Sequence, residues 1–124
     1  MEWLRIFTTS EMVRVSTDEI VYVRAQGNYS EMMLTNGQKA RILPFQLHFF
    51  EETFQRMRSG KNFVRLGRSL IVNKRYIFVI NLKTQLLHFS GQQLKQEITP
   101  INVSREALKQ LKDQLEMEKG DDYD

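Results

Sequence analysis

Short runs of β-branched and aromatic residues, separated by turn signals, constrain the fold of this chain more than any other feature. In the first third of the sequence these runs predict β-strands over residues 3–8, 12–15, 20–23, 30–35 and 38–43. Gly27-Asn28 and Asn36-Gly37 separate the later runs, and an Asn-Gly pair is a strong signal for a hairpin turn. The N-terminal third is therefore predicted to form strands joined by tight turns.

The hydrophobic period changes to that of a helix in two places. Apolar residues recur at spacings of three and four over residues 47–57, which predicts a short internal helix that begins near Pro44 and ends near Gly60. Ser104 is a good N-cap residue, and a leucine stripe follows it over residues 108–115. These signals predict a second, C-terminal helix.

The region between the two helices returns to the strand pattern, with extended segments predicted over residues 63–72, 76–82, 86–89 and 97–103. The element order predicts a mostly β domain, an antiparallel sheet or sandwich with one short internal helix and a C-terminal helix. At 124 residues the chain has room for one ordinary domain. We expect this single domain over residues 1–119 and an acidic, disordered tail over residues 120–124.

The basic residues are concentrated in the middle of the chain. Lys and Arg number 18 against 15 Asp and Glu, a formal net charge of +3. No acidic residue lies between Thr53 and Gln96, where these basic residues occur: Arg56, Arg58, Lys61, Arg65, Arg68, Lys74, Arg75, Lys83 and Lys95. A stretch so depleted of acids attracts polyanions such as nucleic acids. The alternative reading is a solvated surface that only keeps the protein soluble.

Catalytic and metal-binding patterns are missing from the sequence. Zero cysteines exclude a disulfide framework, a thiol nucleophile and the common zinc sites. His48 and His88 have no ligand partner at metal-site spacing, and the adjacent Glu51-Glu52 point in different directions on a helix. There is no glycine-rich phosphate loop, no apolar run of about 18 residues and no secretion signal. We therefore expect a cytoplasmic protein with no catalytic residues, metal, cofactor, small-molecule substrate or membrane segment.

Binding chemistry is concentrated in residues 63–77, where cations alternate with apolar residues. Gly67 is suited to a bulge or a turn that aims Arg68 out of the sheet. An outward arginine next to the hydroxyl of Ser69 can hold a phosphate or read the major-groove edge of guanine. Further along, Asn73-Lys74-Arg75 predicts a polar, cationic connection between strands, or an ordinary surface turn.

Three segments together match the pattern of one family. Residues 18–34 read DEIVYVRAQGNYSEMML, residues 63–77 read FVRLGRSLIVNKRYI, and residues 100–111 read PINVSREALKQL. In this order they resemble the motifs of LytTR-type DNA-binding domains, and the resemblance covers about residues 4–115. No one of the three segments would be specific alone.

The resemblance implies an elongated, largely antiparallel β fold that regulates bacterial transcription by sequence-specific binding of double-stranded DNA. Loops of this fold enter successive major grooves on one side of the duplex. By position, three contact loops are expected: Asn28-Tyr29-Ser30, Gly67-Arg68-Ser69 and Ser104-Arg105-Glu106. Within the third loop Ser104 or Arg105 is the expected contact, because the carboxylate of Glu106 does not favour a phosphate. Arg65, Lys74 and Arg75, with Asn73, are expected to add sequence-independent contacts. The expected partner is duplex DNA carrying paired direct repeats. Such repeats can hold two copies as a homodimer on DNA, and the sequence leaves the oligomeric state open.

The sequence departs from the family pattern in two ways. Gly67 stands where many members have a histidine. Members usually follow a receiver domain, and none is expected in this chain, which is predicted to be a free-standing regulator or an excised domain.

A different class of function stays open, in which the β scaffold binds a protein partner or single-stranded RNA. The aromatic residues that would stack on bases are Tyr22, Tyr29, Phe63 and Tyr76. Aromatic residues in strands, however, usually pack in the core. Of the other cations, Arg56, Arg58 and Lys61 are expected to serve the helix end, and Lys83 and Lys95 to be ordinary surface residues.

Overall fold

The computed structural model of the chain describes residues 2–42 and 46–118. Within these residues the fold is mostly β, and every strand pairing is antiparallel. The strands are β1 (Trp3–Phe7), β2 (Met12–Ser16), β3 (Ile20–Gln26), β4 (Tyr29–Leu34), β5 (Lys39–Ile42), β6 (Phe63–Leu66), β7 (Leu70–Asn73), β8 (Ile77–Asn81), β9 (Leu86–Phe89) and β10 (Ile101–Asn102). The helices are α1 (Leu47–Gln55) and α2 (Arg105–Glu118). The predicted fold class is confirmed.

The central element is a five-stranded sheet with the strand order β5-β4-β3-β7-β6. The two predicted hairpin turns are confirmed, because Gly27 and Gly37 adopt φ angles of +67° and +86° between their strands. The predicted strand over residues 63–72 is instead two strands, β6 and β7. The chain reverses at Gly67, whose φ is +63°, a conformation that costs a glycine no steric penalty.

Two smaller sheets complete the fold, the hairpin β1-β2 and a three-stranded sheet with the order β10-β9-β8. The last strand is much shorter than predicted, since only Ile101–Asn102 of residues 97–103 pair with β9. Pro100 precedes this pairing and has no amide hydrogen to donate to a ladder. The chain before it is held by other contacts, such as the Lys95 N–H donating to the Thr35 carbonyl at 2.9 Å.

The five-stranded sheet separates two hydrophobic clusters, as the alternation of side chains along its strands requires. Val23, Met32 and Ile71 belong to the cluster under α1 and the β1-β2 hairpin. The cluster on the other face contains Val72 and Met33, together with residues of the three-stranded sheet and α2. The hydrophobic core is thus built on both faces of the five-stranded sheet. Packing on both faces holds the strands, and with them the turns at their ends, in place.

The two helices differ in how well the sequence locates their ends. Ser104 is confirmed as the N-cap of α2, because its Oγ accepts a hydrogen bond from the Ala107 N–H at 3.2 Å. The predicted start of α1 at Pro44 and the predicted tail lie outside the described residues. The predicted end of α1 at Gly60 is wrong, since the helix ends at Gln55. Gly60 serves a close approach instead: a Cβ there would lie 1.8 Å from the Phe54 carbonyl oxygen.

Neither helix, in the parts of the chain that the structure describes, is long and apolar enough to cross a membrane.

Asn73 joins two strands inside the protein. Its side chain is 1% exposed. Its Nδ2 donates to the Ile20 carbonyl at 2.9 Å, and its Oδ1 accepts from the Arg75 N–H at 3.0 Å. A buried amide with both ends paired contributes to stability, because truncation leaves its partners unsatisfied.

The substitution Asn73→Ala should therefore lower the free energy of unfolding by about 1–3 kcal/mol. Urea unfolding followed by circular dichroism measures this loss. The control is Gln110→Ala on the exposed surface of α2, which should change stability by less than about 0.5 kcal/mol. Equal stabilities of the two variants would contradict the structural role of Asn73.

Candidate nucleic-acid interface

The first two loops singled out by the sequence lie side by side. The β3-β4 turn and the β6-β7 turn are at the same end of the central sheet, because Arg24 of β3 pairs with Leu70 of β7. Beyond this pair the Ala25 N–H donates to the Ser69 carbonyl at 2.8 Å. Strand pairing thus continues into the second loop and holds it against the strand that leads to the first.

The third loop joins the second across a small cavity of about 200 Å³. Residues 66–70 line one side of this cavity and residues 101–104, at the start of α2, line the other. The three loops, residues 27–30, 67–69 and 102–105, therefore form one continuous border of the molecule. We call this border the loop edge.

Arg65 builds the second loop from within. Its Nε donates to the Gly67 carbonyl at 3.1 Å and its NH2 to the Arg68 carbonyl at 3.2 Å. Its NH1 lies 2.8 Å from Glu51 Oε1. Because each of the three guanidinium nitrogens has a partner in the fold, Arg65 orients the turn and its charge is offset by Glu51.

Arg68, Ser69, Ser104 and Arg105 are all exposed. In the described part of the chain, neither Arg68 nor Arg105 forms an ion pair. Arg105 is the first residue of α2, where unpaired backbone N–H groups and the helix dipole favour anions. The second and third loops thus present arginine side chains that form no ion pair within the described residues, and Glu106 lies beside Arg105 in the first turn of α2.

The three predicted residues of the first loop differ in their exposure to solvent. Asn28 is exposed at the turn, and Tyr29 is half-buried beneath the Arg41 guanidinium, which lies 5.3 Å from the ring centroid. Ser30 is 0% exposed. Of the three predicted residues, Asn28 is therefore the one that protrudes.

Two arginines beside the loop edge are not indicated by the sequence pattern. Arg24 lines the cavity between the second and third loops. Arg41 pairs across from Glu31 in β4, which pairs with Arg24 in turn, so the three side chains lie on one face of the sheet. Glu31 is nearly buried and lies 3.9 Å from Arg24. This arrangement depends on strand register, which the sequence pattern does not contain.

Asn73, Lys74 and Arg75 lie at the opposite end of β7 from the loop edge. Lys74 Nζ donates to both carboxylate oxygens of Glu118 at 3.0 and 3.1 Å, and this hydrogen bond lowers the pKa of Glu118 below its usual value. Arg75 NH1 lies 2.8 Å from Asp18 Oδ1. The structure therefore does not bring these predicted contacts together with the three loops.

Three of the four aromatic residues considered for base stacking are occupied in the core. Phe63 stacks on Phe54 with ring centroids 4.0 Å apart. Tyr22 and Tyr76 are buried, and this burial raises the pKa of both hydroxyls. Of this set only Tyr29 lies at the loop edge.

Exposed loops on a β scaffold, two of which carry arginines without an ion pair in the described residues, are typical of a nucleic-acid-binding domain. The family model of the LytTr DNA-binding domain matches residues 10–116. The chain therefore belongs to the LytTr family of DNA-binding domains.

The fold agrees with this family. A solved LytTr DNA-binding domain, from a Bacillus cereus protein described as a methyl-accepting/DNA response regulator, superposes with a TM-score of 0.64 at 19% sequence identity. The match covers 93% of this chain and 97% of that chain. None of the curated proteins compared matches the sequence.

The role of Arg65 predicts a local effect on the second loop. In Arg65→Ala, amide hydrogen exchange over residues 66–70 should accelerate about fivefold, because losing these bonds costs about 1 kcal/mol locally. The matched control is Arg56→Ala, which removes an exposed arginine next to the end of α1. If exchange in residues 66–70 is the same in both variants, Arg65 does not hold the turn.

Proposed function

We propose that the protein binds double-stranded DNA sequence-specifically through the loop edge and thereby regulates transcription. The observation that carries this proposal is the convergence of residues 27–30, 67–69 and 102–105, which are distant in sequence, on one border. Their turns project from a paired sheet, and B-DNA has a major groove about 12 Å wide that admits such elements.

Arg68 is the base-reading candidate. It lies at the tip of a turn whose backbone is held by Arg65. The Arg68 side chain therefore extends from a backbone of restricted conformation. A guanidinium donates two parallel hydrogen bonds to O6 and N7 of guanine, the commonest specific contact to a base. Ser69 beside it offers a hydroxyl to a phosphate.

In this proposal, the start of α2 and one face of the sheet from β3 to β5 supply the contacts to the sugar–phosphate backbone of the DNA. Ser104 and Arg105 stand at a helix N-terminus, which suits a phosphate. Arg24 and Arg41 flank the loops on the same sheet face. Glu31 lies 3.9 Å from the Arg24 guanidinium and offsets part of its charge.

Asn73, Lys74 and Arg75 are not part of the proposed contact surface. They lie at the other end of β7, and two carboxylates already pair with the cations. In this proposal their role is structural: they hold α2 and the turn that precedes β3 against the rest of the fold.

The role of Arg68 is tested by Arg68→Ala against Arg56→Ala. Loss of a base contact should cost about 1–3 kcal/mol of binding free energy and relax the preference at one base position. Arg56 lies two residues after Phe54, whose ring stacks on Phe63 at the end of β6 away from the second loop. Removal of Arg56 should therefore leave the base preference unchanged. Fluorescence anisotropy with a selected site and its single-base variants measures both. If Arg68→Ala leaves the base preference unchanged, Arg68 does not read a base.

The proposed function itself is tested by competition between a mixed-sequence duplex and its separated strands. Duplex DNA should compete, and its affinity should fall with salt in proportion to the number of phosphates contacted. Preference for the single strands contradicts the proposal, and binding to neither favours a protein partner. This experiment requires no knowledge of the operator.

Selection of bound duplexes from a random DNA pool identifies the site. We propose that the selected sequences contain a direct repeat with a spacing of about 10–10.5 base pairs, one turn of the duplex. That spacing places two copies of the protein on the same face of the DNA. A single, unrepeated site indicates that one copy binds alone.

A further inference from the structure

A fourth loop adjoins the loop edge. The β8-β9 turn, residues 82–85, lies next to the third loop because the Val103 N–H donates to the Gln85 carbonyl at 3.0 Å. This bond continues the β9-β10 pairing, in which Asn102 lies opposite Leu86. The four loops therefore follow one another in a row, and the β8-β9 turn occupies the end beyond the start of α2.

The backbone of this turn is held rigidly. Asn81 Oδ1 accepts hydrogen bonds from the Lys83 N–H at 2.9 Å and the Thr84 N–H at 3.0 Å. Gln85 has a φ angle of +59°, and in the described residues it is the only non-glycine residue with a positive φ. Its carbonyl is the group bonded to Val103. The turn thus has a fixed position relative to Ser104 and Arg105.

The side chains of the turn have the chemistry of phosphate contacts. Lys83, Thr84 and Gln85 are exposed and carry an ammonium, a hydroxyl and an amide, the groups that commonly donate to the DNA backbone. In the described part of the chain Lys83 forms no ion pair. The sequence alone suggested an ordinary surface lysine, because its neighbour in space, the start of α2, is about 20 residues away along the chain.

We propose that the β8-β9 turn is a fourth DNA-contacting element, which binds the sugar–phosphate backbone next to the groove met by Ser104 and Arg105. Lys83 supplies the cation of this contact. The inference rests on the proposed function and adds to it a sequence-independent contact at one end of the footprint. The turn binds phosphate and does not read bases.

Lys95 provides a matched control for Lys83. It is an exposed lysine from the same acid-free stretch. Its N–H donates to the carbonyl of Thr35, which follows β4 at the end of the sheet opposite to the loop edge. Removal of either lysine changes the net charge equally, so a difference between the variants reports position and not total charge.

The test measures log Kobs against log salt concentration for the wild type, Lys83→Ala, Lys83→Arg and Lys95→Ala on one selected duplex. Lys83→Ala should reduce the magnitude of the slope by about 0.9, the value for one phosphate. Lys83→Arg should restore the slope, and Lys95→Ala should match the wild type. The affinity for random duplexes should fall by the same factor as that for the selected site, in contrast to the effect of Arg68→Ala.

A scan with single methylphosphonates, which neutralise one phosphate at a time, locates the contact. At one phosphate, neutralisation should weaken the wild type and leave Lys83→Ala unaffected. That phosphate should be adjacent to those whose sensitivity depends on Arg105.

The fourth contact is overturned if Lys83→Ala and Lys95→Ala have the same slope while Arg68→Ala still changes the base preference. In that case the proposed function survives without it. If the wild type binds no duplex in preference to single strands, both proposals fail. Circular dichroism confirms that the exposed-site variants are folded.

Discussion

The pairing of β3 with β7 is the interaction on which the rest of the structure depends. These strands come from the N-terminal and middle parts of the chain, and both are central in the five-stranded sheet. Both faces of this pair are covered, so Val23 and Val72 help to form separate hydrophobic clusters. The same register ends in the hydrogen bond between Ala25 and Ser69. Core packing and the position of the loops are therefore set by one strand pairing.

The fold divides the basic residues into those that form ion pairs within the protein and those whose charge stays unpaired in the described residues. The stretch from Thr53 to Gln96 has no acidic residue, but three of its cations meet carboxylates that other parts of the chain supply. Those partners are Glu51, Glu118 and Asp18. Arg68 and Lys83, which lie in turns, have no such partner in the described residues. Charge density along the sequence therefore overstates the cationic surface and misplaces it.

Two turns of the loop edge, and the β8-β9 turn beside it, are held by side chains as well as by strands. Arg65 bonds to two carbonyls of the second loop, Ser104 caps the third, and Asn81 holds the β8-β9 turn. A surface with fixed backbone loses less conformational entropy when it binds. Each of these turns depends on one polar side chain, so losing that side chain disturbs the turn from a distance.

The sequence by itself determined the local features of this protein. Hairpin turns at Gly27 and Gly37, the cap at Ser104 and the order of strands and helices follow from backbone preferences and side-chain periodicity, which act within a few residues. Only the tertiary structure decided which loops meet, since that depends on strand register and on packing between distant segments. It buried Asn73, paired Lys74 and Arg75 with acids, brought Arg24 and Arg41 beside the loops, and joined the β8-β9 turn to the start of α2.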